Sequence, residues 1–385
     1  MRALKERNHK KKTMATPDSD QGYMALALDL ARKGLGRTSP NPCVGAVIVR
    51  DGRIIGSGYH RRAGTPHAEV HALRQAGSLA AGATLYVTLE PCNHTGRTPP
   101  CSHAVAESGI SRVVMGMLDP NPLVAGGGRQ YLIDNGIEVT TNILEGACRR
   151  LNEPFIKYIT SKRPLVVIKA GVSLDGRLNY QKGRSGWITG ADSLHKVHQL
   201  RDCYDAILVG RGTVEIDNPS LTTRLQDRRG RDPLRLVVDS RLSTSPDARM
   251  LNQQSEAETW IFCTSRAPGE KRETLERKGA RIFEVDGAEG GRVDLTAVMA
   301  LLGEKQITSV LVEGGGAVFS ALLAERLADK AQLFYAPLFA GNGGESLTAD
   351  LQITGRDEAV RLGDVDYTGM GEDLLVEGTI IYPQN

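Results

Sequence analysis

Pro66-His67-Ala68-Glu69, followed by Glu90-Pro91-Cys92-Asn93-His94-Thr95-Gly96-Arg97-Thr98-Pro99-Pro100-Cys101, is the stretch on which the reading of this chain turns. One imidazole and two thiolates give zinc three protein ligands and leave a fourth position for water, the open arrangement of a catalytic metal rather than a structural one. His67, Cys92 and Cys101 are the candidate ligands. Zinc lowers the pKa of water, so hydroxide becomes available near neutral pH to attack an amidine-type ring carbon. A carboxylate that does not bind the metal must then carry the proton to the departing ammonia, and Glu69 is the candidate catalytic residue. His71 competes with His67, because it lies one helical turn further on. His67 is preferred because it begins the helix, where Glu69 can still turn into a cleft. His94 and His103 read as loop or surface residues.

This order of residues is the grammar of nucleobase deaminases, whose usual second half is Pro-Cys-x-x-Cys. Here eight residues separate the cysteines. That longer loop, with Thr38-Ser39-Pro40-Asn41-Pro42 upstream and Asp119-Pro120-Asn121-Pro122 downstream, resembles the deaminase half of the bifunctional riboflavin-biosynthesis deaminase/reductases. Lys169-Ala170-Gly171-Val172-Ser173-Leu174-Asp175-Gly176-Arg177 and Glu313-Gly314-Gly315-Gly316 extend the resemblance over roughly residues 22 to 385.

The resemblance implies an α/β protein with a three-layer α/β/α cytidine-deaminase-like domain at 22–162 and a dihydrofolate-reductase-like domain at 163–385, after a basic extension at 1–21. Its cofactors would be one zinc ion and NADPH. Asn41, His60 and Arg97 would contact the deaminase substrate. Gly171, Trp187, Thr213, Asp217 and Ser240 would line NADPH, with Gly315 and Gly316 under its phosphates. Lys169, Ser185, Arg201, Leu221, Arg224 and Glu313 would hold the phosphosugar. The implied reactions are deamination of 2,5-diamino-6-ribosylamino-4(3H)-pyrimidinone 5′-phosphate, then reduction of its ribosyl group to ribityl. Residue chemistry alone leaves the dinucleotide open: Asp239 at a strand end favours a free 2′-hydroxyl, whereas Ser240-Arg241 suits a 2′-phosphate. No Gly-x-Gly-x-x-Gly follows an early strand, so a Rossmann domain is not indicated.

At 385 residues, two cores are the natural expectation. Apolar content of 40% and charged content of 24% are those of an ordinary globular protein. The formal charge of +3 is carried by the tail: residues 2–12 hold six Lys or Arg against one Glu, which leaves the remainder at −2. No basic body follows a phosphate backbone, which argues against nucleic acid as a partner and for a small-molecule substrate. The tail lacks the apolar stretch of a secretory signal, and it reads as a short disordered arm with Met14 as an alternative start. No apolar run is long enough for a membrane span. Six scattered cysteines fit a reducing cytoplasm better than a disulfide framework. Homo-oligomerisation stays open.

Periodicity predicts a hairpin from Cys43 to Tyr59 turning at Asp51-Gly52, and a helix with Pro66 at its first position and its end near Gly77. Strands are expected at 84–89, 112–117 and 137–140, and a polar connector over 149–163. Buried-type strands then restart at 165–169, 205–210, 234–239 and 309–313, the last running into the glycine triplet and a helix. Trp260 reads as core. Two other readings fit parts of this pattern: a nucleoside or tRNA deaminase with a structural second domain, and a zinc- and NADP-binding sensor without turnover. Glu69 speaks against the sensor, since a structural zinc needs no acid/base beside it.

Overall fold

The structure is a computed structural model that describes residues 19–93, 100–121, 126–349 and 351–383. The chain divides into two compact units at Thr160 and Ser161. The first runs α1 (Asp20–Arg32), β1 (Gly45–Arg50), β2 (Arg53–Tyr59), α2 (Ala68–Ala76), β3 (Thr84–Val87), α3 (Cys101–Glu107), β4 (Arg112–Met115), α4 (Gly127–Asp134), β5 (Glu138–Thr140), α5 (Glu145–Leu151) and α6 (Glu153–Ser161). Its sheet has the order β2-β1-β3-β4-β5, with β1 antiparallel to both neighbours and β3, β4 and β5 parallel. The hairpin turns where Asp51-Gly52 predicts, with both residues at positive φ (50° and 73°).

Two glycines explain how helices cover both faces. A Cβ on Gly45 would lie 2.0 Å from the Ala27 carbonyl of α1, and one on Gly58 would lie 2.7 Å from the Ala68 carbonyl of α2. Gly58 pairs with Ala46, the neighbour of Gly45, so the two glycines face opposite sides of the sheet. Helices α1 and α2 therefore sit on opposite faces, giving three layers around a core that includes Met24, Ile48, Leu85 and Leu132. Among the described residues, no helix is long and apolar enough to cross a membrane.

Several sequence expectations shift. Helix α1 already begins at Asp20, capped by Ser19, inside the segment assigned to the basic extension. Helix α2 starts at Ala68 with His67 as N-cap, so Pro66 lies outside the helix, not at its first position. The expected connector over 149–163 is largely helical, as α5 and α6. Its polar residues are the outer faces of two short amphipathic helices, whose Leu151, Phe155 and Ile156 pack on the core. Between them Asn152, 2% exposed, accepts from Cys43 N (2.8 Å) and donates to the carbonyl of Cys43 (3.0 Å).

The second unit runs β6 (Leu165–Ser173), α7 (Ala191–Cys203), β7 (Ala206–Gly210), α8 (Arg211–Asp217), β8 (Leu234–Val238), β9 (Thr259–Cys263), α9 (Gly269–Arg277), β10 (Ala280–Glu284), α10 (Leu295–Glu304), β11 (Ser309–Val312), α11 (Gly316–Ala324), β12 (Lys330–Ala336), β13 (Arg361–Met370) and β14 (Asp373–Ile381). Its nine strands lie in the order β10-β9-β8-β7-β11-β6-β12-β14-β13. The first seven are parallel, and β14 and β13 close one edge antiparallel. Successive residues of β6 serve opposite faces: Val166 and Ile168 pack with α10 and α11, Leu165 and Val167 with α7. Trp260, 6% exposed, belongs to the first of these cores. Strands β6, β7, β8 and β11 then present their C-terminal ends together, where ligand sites of parallel sheets form.

Asn152→Ala should destabilise the first unit on the order of 2 kcal/mol or more, because it strands a buried N–H and C=O of Cys43. Denaturant unfolding checks this, and a variant within 0.5 kcal/mol of wild type would show that the bonds are dispensable.

Candidate active sites

In the first unit, three sequence-distant residues meet because each ends or begins an element. His67 is the N-cap of α2, Cys92 follows β3, and Cys101 begins α3. His67 Nδ1 lies 3.2 Å from Cys101 Sγ and 3.6 Å from Cys92 Sγ, and the three donor atoms all fall within 4.8 Å of one another. Donors bound to one tetrahedral zinc at its usual bond lengths are separated by roughly 3.5 Å, so this set fits that ion. The Cys101 thiol bonds Cys92, which draws Cys92 down to about 4 and pushes Cys101 up.

Glu69, on the first turn of α2, is 3% exposed, and its Oε2 finds no hydrogen-bond partner among the described residues. Burial raises it to about 7, against the opposing pull of His67. A buried carboxyl oxygen without a partner is costly, and such an atom is a candidate for contact with a ligand. Two more candidates join this site. Asn41 Nδ2 lies 3.2 Å from His60 Nε2, and His60 Nδ1 lies 3.3 Å from the Pro66 carbonyl. The His60 ring meets that of His67 edge-on at 5.2 Å. His71 falls outside the donor cluster, and His103 stacks on Tyr131. Arg97 and His94 lie outside the described residues.

The sequence reading gave Glu90 no role, although it directly precedes Pro91-Cys92. It is buried and accepts from Arg129 N (2.8 Å), Asp119 N (3.0 Å) and Gly126 N (3.2 Å). It thereby ties the chain before Cys92 to the segments around Asp119 and the start of α4. An acid immediately before a Pro-Cys at a strand end was the available signal.

In the second unit, Lys169, Gly171, Ser185, Trp187, Arg201, Thr213, Asp217, Leu221, Arg224, Ser240, Glu313, Gly315 and Gly316 all line one cleft of about 1540 Å³. At its floor, Glu313 after β11 receives two hydrogen bonds from Arg201 (Nε 2.8 Å, Nη2 2.8 Å), with Lys169 Nζ at 3.5 Å. Burial pushes Glu313 up, but the Arg201 and Lys169 charges outweigh it and hold the carboxyl at about 2. Burial pushes the Lys169 ammonium down. The third nitrogen of Arg201 bonds the Thr222 carbonyl at 3.1 Å, so this guanidinium is committed within the protein. Arg224 is exposed and lines the cleft, and among the described residues its side chain bonds Thr222 Oγ1 (3.1 Å). Trp187, 64% exposed, stands at the cleft wall.

The cofactor end fits a dinucleotide phosphate. Gly315 is the N-cap of α11 with no side-chain cap, and a Cβ there would meet nothing nearer than Thr213 Oγ1 at 3.8 Å. Backbone N–H groups at the positive end of α11 are thus open to an anion. Gly316 serves packing as well, since a Cβ there would lie 2.4 Å from the Ser346 carbonyl. Hydrogen bonding bears on the ambiguity at the end of β8. Asp239, 2% exposed, is engaged by Thr244 N (2.6 Å), Thr244 Oγ1 (2.8 Å) and Ser243 Oγ (3.0 Å). Its carboxylate oxygens are therefore engaged by the turn that follows, although Asp239 lines the cleft together with Ser240, Arg241 and Arg292, whose hydroxyl and guanidinium donors suit a 2′-phosphate.

The family profile described as "RibD C-terminal domain" matches residues 164–376, and that described as "Cytidine and deoxycytidylate deaminase zinc-binding region" matches residues 17–117. The riboflavin biosynthesis protein RibD of Aquifex aeolicus (strain VF5) is 43% identical over 357 residues, 93% of this chain and 97% of that protein. Among solved structures, Acinetobacter baumannii RibD (form 1) superposes with a TM-score of 0.83 at 36% identity, covering 94% of this chain and 99% of the other. The Thermotoga maritima diaminohydroxyphosphoribosylaminopyrimidine deaminase/5-amino-6-(5-phosphoribosylamino)uracil reductase gives 0.79 at 38% identity, covering 95% and 99%. Matches of this identity along nearly the whole of both chains, on a zinc-competent cluster and a dinucleotide cleft, leave one conclusion: the chain belongs to the RibD family of bifunctional riboflavin-biosynthesis deaminase/reductases.

Proposed function

We propose that the first unit hydrolytically deaminates 2,5-diamino-6-ribosylamino-4(3H)-pyrimidinone 5′-phosphate at C2, and that the second reduces the ribosyl group of the resulting aminouracil phosphate to ribityl. The observation that carries the first step is the buried Glu69 carboxyl, with one oxygen unpartnered among the described residues, beside a His-Cys-Cys donor set. His67, Cys92 and Cys101 would hold the zinc ion, whose Lewis acidity would make a water available for attack at C2. Glu69 takes a proton from that water and returns it to the departing nitrogen, so that C2–NH2 becomes C2=O with release of ammonia. Asn41 and His60 present amide and imidazole edges to the pyrimidine, and Arg97 is the candidate for its phosphate. A nucleoside or tRNA deaminase with an inert second unit does not explain the cleft around Glu313.

Bound in this cleft, NADPH would supply the hydride for C1′ of the ring-opened sugar. The protein's part is positional and electrostatic. Gly171, Trp187, Thr213, Asp217 and Ser240 border the cofactor, with Gly315 and Gly316 beneath its phosphates. Lys169, paired with Glu313, carries protons exchangeable with the sugar oxygen, and Arg224 holds the sugar phosphate beside Ser185 and Leu221. Arg201 acts through Glu313 and Thr222. Both substrates are small molecules, and the near-neutral body offers no track for nucleic acid. We place the enzyme in the cytoplasm, where its six cysteines, none in a disulfide, stay reduced. Homo-oligomerisation is compatible with this reading.

Glu69→Gln should retain a full zinc ion by elemental analysis while deamination falls on the order of 10²–10⁴-fold. Deamination within about threefold of wild type, with zinc intact, would move the proton-transfer role elsewhere. Gly315→Val, which places a branched side chain at a cleft-lining position, should weaken NADPH binding by tenfold or more, on the order of 1.4 kcal/mol, and leave deamination unchanged. Fluorescence titration reads this directly, and wild-type NADPH affinity in the variant would remove the α11 N-terminus from the cofactor site.

A further inference from the structure

His198 lies on α7 one helical turn before Arg201, and no role follows for it from the reactions above. It is only 4% exposed, and the charges of Arg201, Arg224 and Glu313 act on it. Its Nδ1 accepts the backbone N–H of Arg224 at 3.2 Å, and the backbone of Thr222 also bonds the ring. That turn needs outside support. Leu221, 2% exposed, sits at φ +53°, a left-handed conformation that a leucine adopts only when its surroundings impose it. The turn is fixed at three further points: Arg201 Nη1 on the Thr222 carbonyl (3.1 Å), Asp232 on Thr223 N (2.7 Å), and Thr223 Oγ1 on the Arg231 carbonyl (2.8 Å). None of these touches the backbone of Arg224 itself.

We infer that His198 is a positioning residue for the phosphate subsite: its Nδ1 lone pair fixes the Arg224 backbone, and thereby the guanidinium that the cleft presents to the sugar phosphate. The inference rests on the proposed role of Arg224. Burial, with the Arg201 and Arg224 charges, holds His198 down at about 4, so the ring stays neutral and Nδ1 remains an acceptor. A lysine, a leucine or a charged imidazole in its place could not accept that bond. The residue acts on where Arg224 stands, not on the reacting carbon, so its loss should appear in substrate affinity.

The test uses the full-length enzyme, the deaminated phosphoribosylamino substrate and saturating NADPH. His198→Leu should raise KM about tenfold, the loss expected for one buried hydrogen bond, with kcat within about twofold. Inhibition by inorganic phosphate should weaken in parallel, and NADPH affinity should not change. His198→Asn, whose amide oxygen stands near the Nδ1 position, should restore KM to within about threefold. His198→Gln, whose oxygen reaches toward the Nε2 position, should not. Arg224→Ala provides the reference. If it raises KM while His198→Leu leaves KM at the wild-type value, the positioning role is overturned. If Arg224→Ala leaves KM unchanged, the phosphate subsite is elsewhere and the inference falls with it. Should His198→Leu fail to fold, the comparison of Asn with Gln decides, and equal KM values overturn the role.

Discussion

A carboxylate buried at the end of a strand must be compensated, and in both units that compensation shapes the ground around the site. Glu90 follows β3 and is satisfied by three backbone N–H groups, from Asp119, Gly126 and Arg129. Glu313 follows β11 and is satisfied by Arg201 and Lys169. Leaving either charge unpaired at such depth would cost several kcal/mol, so the segments that supply the partners are held in place. In the first unit this anchors the chain just before Cys92. In the second it fixes one arginine and one lysine at the cleft floor and leaves Arg224 facing solvent. Glu69 is the contrast: it is buried as deeply, and one of its oxygens has no partner among the described residues.

Local patterns in the sequence carried much of this. Asp51-Gly52 defined its hairpin, because a two-residue turn has few chemical solutions. The metal-competent cluster was legible because His67, Cys92 and Cys101 each bring an unusual donor type to the edge of an element. The buried restart at Leu165 was legible because a parallel strand covered on both faces is apolar throughout. The glycine triplet showed less than its reading: Gly315 is open to the cleft, whereas Gly316 is required by the approach of the Ser346 carbonyl, which no local pattern announces.

What stayed hidden was long-range. Glu90 meets partners 29 to 39 residues away, and Arg201 meets Glu313 across 112 residues, so neither pairing has a sequence signature. Asp239 seemed available to a ribose, yet it closes a turn with Ser243 and Thr244. Helices α5 and α6 read as a polar connector because each has only seven to nine residues, too few to display a helical period clearly. Nothing local in the sequence marks His198, since its partner is a backbone N–H on a distant turn. Residue type and spacing thus revealed the donors. Their compensation and orientation became visible only once the strands were in register.

The central claim is that two sites in one chain perform consecutive reactions, the first on zinc and the second with NADPH. Incubating the purified zinc-loaded protein with the diaminopyrimidine phosphate, with and without NADPH, measures it most directly. Without NADPH, ammonia should be released and the deaminated ribosyl compound should accumulate. With NADPH, the ribityl product should replace that compound, with one NADPH oxidised for each ammonia released. Ammonia release with no NADPH oxidation at any cofactor concentration would contradict the account of the second unit. NADPH oxidation with no ammonia released would contradict that of the first.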